Sequence, residues 1–80
     1  MKYKIEIWQY SRMIDVFETN MAKKMLIWYF TKWHEMYEAG ECDFSVYKDG
    51  EELDMKQEKR LGFHTYYWSL ENEYNKKCRL

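Results

Sequence analysis

An α+β fold is expected, with a short antiparallel β-sheet packed on one main α-helix and a C-terminal helix or strand. Three observations predict it. Lys2 to Gln9 alternates apolar and polar side chains with the period of a half-buried strand. Residues 21–38 repeat apolar side chains at helical spacing. Asp49-Gly50 joins two runs whose apolar residues meet across a two-residue turn. The 80 residues read as a single compact domain, 1–80, because one hydrophobic core serves chains of this length.

In the first strand Tyr3, Ile5 and Ile7 point one way and Lys2, Lys4 and Glu6 the other. Residues 13–18 continue as a second strand, with Ile14 and Val16 expected on the face of Ile5 and Ile7. The connection from Gln9 to Arg12 lacks the Gly or Asn of a tight turn. A rival reading therefore extends the next helix back to Ser11, since Ile14, Phe17, Met21, Met25 and Trp28 also recur at helical spacing. Thr19-Asn20, a plausible N-cap, favours the hairpin.

The helix over 21–38 carries Ala22, Met25, Leu26, Tyr29, Trp33, Met36 and Tyr37 on one stripe, and Ala39-Gly40 marks its stop. Ile27, Trp28 and Phe30 widen the apolar surface beyond that stripe and form a candidate self-interface. Lys23 and Lys24 in the first turn, with Glu35 and Glu38 in the last, oppose the helix dipole. Each such placement costs about 0.3–1 kcal/mol if exposed.

A turn at Asp49-Gly50 pairs Val46 with Leu53 and Phe44 with Met55, with Cys42 on the same face. Asp43, Glu52 and Asp54 then fall on the solvent face. Lys56 to Leu61 is polar and ends at Gly62, as a short helical turn or loop would. Beyond it, Phe63, Tyr67, Leu70, Tyr74 and Cys78 recur at helical spacing, while His64-Thr65-Tyr66-Tyr67-Trp68 has strand-type residues. Both readings stay open, with the helix favoured.

The formal net charge of −1 conceals a strong division. Between Glu35 and Asp54 eight acids face a single base, Lys48, whereas the segments before and after are each net basic. One residue in five is aromatic, more than a core of this size encloses, so some Tyr and Trp must serve the surface.

Several function classes fall away. The longest apolar run, Met25 to Phe30, is far short of the roughly 20 residues that span a bilayer. No targeting segment is visible, and Cys42 and Cys78 lack the dense spacing of a secreted disulfide scaffold, so reduced thiols and a cytoplasmic setting are expected. His34, Cys42, His64 and Cys78 show no metal-ligand spacing. His34-Glu35 begins like a zincin signature, but Glu38 stands where the second histidine belongs. No metal and no cofactor are expected, and both histidines read as surface or half-buried residues. Ser11, Ser45 and Ser69 lie in no nucleophile pattern, and three glycines build no phosphate loop. An enzyme is not expected. Lysines do neighbour aromatics, at Lys2-Tyr3-Lys4 and around Lys23, Lys24, Trp28, Lys32 and Trp33, as in single-strand binders. The acidic middle third would repel phosphate, which argues against direct nucleic-acid binding.

Read positively, an acidic, aromatic-studded face suits a protein partner with a basic surface. Glu35, Glu38, Asp43, Glu52 and Asp54 would carry the polar contacts, with Tyr37 and Tyr47 as anchors. The alternative is a homo-oligomeric structural or accessory protein, a homodimer through Ile27, Trp28 and Phe30. In brevity, compact α+β pattern, aromatic density, acidic stretch and lack of a catalytic motif, the chain resembles the small orphan proteins of phages and mobile elements, among them the anti-CRISPR inhibitors. That resemblance is of kind and carries over no residue. It implies a stoichiometric inhibitor of a nucleic-acid-handling complex, acting by occlusion.

Overall fold

The computed structural model describes residues 1–54 and 63–78. Met55, the expected partner of Phe44, and the polar run 56–62 lie outside the described residues, as do the side chains of His64 and Cys78. The elements in order are β1 (Tyr3–Gln9), β2 (Arg12–Thr19), α1 (Ala22–Lys32), α2 (His34–Glu38), β3 (Asp43–Lys48), β4 (Glu51–Leu53) and α3 (Phe63–Cys78). The fold is α+β, a four-stranded antiparallel sheet of order β2-β1-β3-β4 carrying α1 and α3.

The core forms where the predicted stripes meet. Ile5, Ile7 and Val46 from the sheet pack against Met25, Leu26, Tyr29 and Phe30 of α1 and Tyr67 of α3. Each aliphatic chain so buried contributes about 1.5–3 kcal/mol. Period-3.6 contacts dock α3 through Tyr67, Leu70 and Tyr74, which settles the C-terminal segment as helix.

Two turns set the register of the sheet. Asp49 and Gly50 both take positive φ, the conformation of a primed hairpin turn, and pair Val46 with Leu53 as expected. The Lys2 amide donates to Asp49 Oδ1 at 2.9 Å, and the Asp49 amide donates to the Lys2 carbonyl at 2.8 Å, pinning the turn to β1. The β1–β2 hairpin uses the same geometry without a glycine, since Tyr10 and Ser11 stand at φ 52° and 65°. L-residues there cost about 1–2 kcal/mol each.

The structure corrects three expectations. First, Ile14 and Val16 do not share the face of Ile5 and Ile7. Phe17 is opposite Ile5, Val16 is opposite Glu6 on the outer face, and a register shift beside Ile7 leaves Ile14 as the extra residue of a bulge. Phe17 is the inward residue, stacked on Trp28 at 5.2 Å. Second, the single helix over 21–38 is two, broken at Trp33 with φ −124° and ψ −12°. Thr31 Oγ1 donates back to the carbonyls of Ile27 and Trp28 just before the break, a bond that bends helices. The break moves Lys32 to the end of α1 and Glu35 to the start of α2, where each favours the local dipole. Third, Phe30 is core, 4% exposed, so the expected apolar patch shrinks to Ile27 and the rim of Trp28. The helical stop is as expected. Gly40, at φ 75°, donates to the Tyr37 carbonyl while Glu41 donates to that of Met36, closing a Schellman motif.

Candidate functional site

Acidic side chains gather in two places, and the fold treats them differently. The first is an open groove lined by Tyr37, Asp43, Phe44, Ser45, Val46, Glu52, Leu53 and Asp54. Its lining takes residues from both faces of the β3–β4 pair. Asp43 and Ser45 face away from Val46, and Glu52 sits beside Tyr47 on the outer side of the β3–β4 pair. The three carboxylates are exposed, and among the described residues the lining includes no basic one. Tyr37 enters from α2, its ring edge-on to Phe44 at 4.8 Å and 6.2 Å from Tyr29, so this anchor is braced by the core.

Four of the seven residues expected to bind a partner thus come together: Tyr37, Asp43, Glu52 and Asp54. The other three do not line the groove. Glu35 is exposed on α2. Tyr47 lies on the outer sheet face under the Lys4 ammonium, 4.8 Å from its ring centroid. Partial burial, then the charges of Glu6 and Glu52, raise the pKa of its hydroxyl. Its surroundings are mixed in charge, with Lys4 paired to Glu6 at 3.4 Å and Lys2 to Glu18 at 3.1 Å. Glu38 turns elsewhere, to the second cluster.

That cluster is centred on His34. Expected at the surface or half-buried, His34 is 2% exposed, the one polar residue among the fully buried side chains described. The break at Trp33 is what redirects it inward, between the rings of Phe30 at 4.7 Å, Tyr74 at 4.8 Å and Tyr29 at 5.6 Å. Its Nδ1 lies 3.3 Å from the Tyr29 hydroxyl. Its Nε2 lies 3.6 Å from Glu38 Oε1 and 4.0 Å from Glu71 Oε1. Three ligating atoms therefore converge within 4.8 Å of one another.

Beneath this cluster Tyr67 is fully buried, and its hydroxyl makes no hydrogen bond among the described residues. Burial first, and then the charge of Glu71, raise its pKa. The Tyr29 hydroxyl is close enough to influence it without reaching hydrogen-bonding geometry. Burial likewise raises the pKa of Tyr29, so both phenols stay protonated. Cys42 is a buried free thiol, with its pKa raised by burial and then by Asp43 and Glu41, which makes it a poor nucleophile.

Sequence reasoning missed Glu71 altogether, although its position between Tyr67 and Tyr74 puts it on the docked side of α3. His34 and Glu38 were legible as an i, i+4 pair; what brings them a third ligand is the packing of α3. Among the described residues no helix is long and apolar enough to cross a membrane. Comparison with family models, characterised proteins and solved structures finds no match.

Proposed function

We propose that the chain is a non-enzymatic protein-binding module whose acidic groove receives a basic segment of its partner. The observation that carries this reading is the lining itself. Three exposed carboxylates at the β3–β4 hairpin line the same groove as a core-braced tyrosine. Fixed charges on a sheet edge steer a basic partner quickly, and the aromatic anchor slows its release. The partner class that fits best is a nucleic-acid-handling enzyme. Its phosphate-binding channel presents the complementary surface, and occupying that channel would inhibit it by occlusion. The burial of the Cys42 thiol accords with a role that needs no nucleophile.

A second reading, self-association through the α1 surface that Ile27 and Trp28 retain, gains a further surface on β2. This strand exposes Met13, Ile14 and Val16, a short apolar row at the edge of the sheet formed by the described residues. Salt separates the two readings, because groove binding weakens with ionic strength and an apolar contact does not. Immobilised protein is exposed to bacterial lysate at low and high salt, beside the triple variant Asp43→Lys, Glu52→Lys, Asp54→Lys. A basic nucleic-acid-binding protein held at low salt by the wild type alone supports the groove. Equal capture by the triple variant contradicts it.

A further inference from the structure

We infer that His34, Glu38 and Glu71 form a binding site for a divalent transition-metal ion of the zinc class, clasping α2 to α3. The site is separate from the proposed partner groove and does not depend on it.

Spacing is the first support. His34 and Glu38 are one helical turn apart on the same face of α2, the relation that lets two ligands share one ion. Glu71 supplies the third atom from the docked side of α3. The separations of 3.6 and 4.0 Å are too long for hydrogen bonds. They are close to the spacing of neighbouring ligands around an ion. With metal–ligand bonds of about 2.0–2.2 Å, tetrahedral neighbours stand about 3.3–3.6 Å apart. Glu38, whose side chain is 57% exposed, has room to close the remaining gap.

The surroundings are the second support. A ligating imidazole donates its other N–H to a neighbour that fixes ring and tautomer, and the Tyr29 hydroxyl lies 3.3 Å from Nδ1 for that purpose. In that tautomer the Nε2 lone pair faces two carboxylates, so an ion placed between them would be ligated by all three side chains. The rings of Phe30, Tyr29 and Tyr74 lower the local dielectric and strengthen the attraction. One imidazole and two carboxylates suit Zn²⁺, with Co²⁺ as its spectroscopic substitute. The unsatisfied hydroxyl of Tyr67, near the same two carboxylates, offers a donor to a water completing the coordination.

The full chain, stripped with chelator, is titrated with Zn²⁺ alone by calorimetry and with Co²⁺ alone by visible absorption. One ion per chain and a raised Tm are expected. Glu38→Gln and Glu71→Gln should each weaken binding by about tenfold or more while leaving the far-ultraviolet circular dichroism intact. Failure of the wild type to bind Zn²⁺ overturns the proposal. Binding that is unchanged in both glutamine variants overturns it as well, because the ion then sits elsewhere.

Discussion

The two acidic regions are built from the same residue types and differ in what surrounds each carboxylate. In the groove the exposed Asp43, Glu52 and Asp54 flank a hairpin, with no base in the lining among the described residues. At the α2–α3 corner Glu38 and Glu71 converge on an imidazole that water hardly reaches. A solvated carboxylate costs the fold almost nothing and presents its charge to a partner. A largely buried carboxylate such as Glu71, whose side chain is 13% exposed, acts on the fold itself, because its field is poorly screened. Location within the packing, rather than local composition, separates the two roles.

The sharpest way to break this contrast is to remove α3 from the core. Tyr67→Ala should cost about 3–5 kcal/mol, as aromatic truncations in cores do, and it should dismantle the His34 corner. Urea unfolding measures this. A loss below about 1 kcal/mol would mean that α3 is not docked as described.

Next in size, the triple reversal Asp43→Lys, Glu52→Lys, Asp54→Lys should change stability by only about 0.5 kcal/mol per site. It should nonetheless lower affinity for a basic partner at least tenfold, because like charges then meet across the interface. A large loss of stability would show that the groove charges are structural after all.

The β1–β2 turn separates stability from function. Tyr10→Asn with Ser11→Gly places residues suited to positive φ where Tyr and Ser now stand at 52° and 65°. A gain of about 1–2 kcal/mol is expected, with partner and metal binding unchanged. No gain would mean that Tyr10 and Ser11 sit in that turn without strain.

The smallest effect belongs to an exposed pair. Asp15 Oδ2 accepts from Lys32 Nζ at 2.7 Å, and this hydrogen bond is the main reason its pKa falls below the ordinary 3.8. The bridge adds stability above that value and loses it as pH drops through the lowered one. Asp15→Asn should therefore cost about 0.2–1 kcal/mol at neutral pH, and the difference from wild type should vanish in acid below the ordinary carboxylate range. A difference that persists there would assign the effect to packing.

Much of this was legible before the structure. Strand alternation in β1, the Asp49-Gly50 turn with its Val46–Leu53 pairing, and the stop at Gly40 are local, and local rules predict them. The face of β2 was not legible, because a bulge at Ile14 and the inward demand of Phe17 are decided by the neighbouring strand. Phe30 read as surplus apolar surface because α3, which covers it through Tyr67 and Tyr74, lies more than thirty positions away in sequence. The same distance hid Glu71. In the candidate groove, the solvent-facing acids of β3 and β4 followed from register alone, whereas the entry of Tyr37 and the departure of Glu38 depended on the break at Trp33.

The most direct test of the division between the regions is a pair of titrations followed by amide NMR on the ¹⁵N-labelled chain, one with Zn²⁺ and one with a short arginine-rich peptide. Zn²⁺ should shift the resonances of His34, Glu38 and Glu71 and spare Asp43, Glu52 and Asp54. The peptide should do the reverse, and added salt should reverse only the peptide shifts. If both titrants perturb one common set of residues, the two regions are a single acidic surface and the division between them fails.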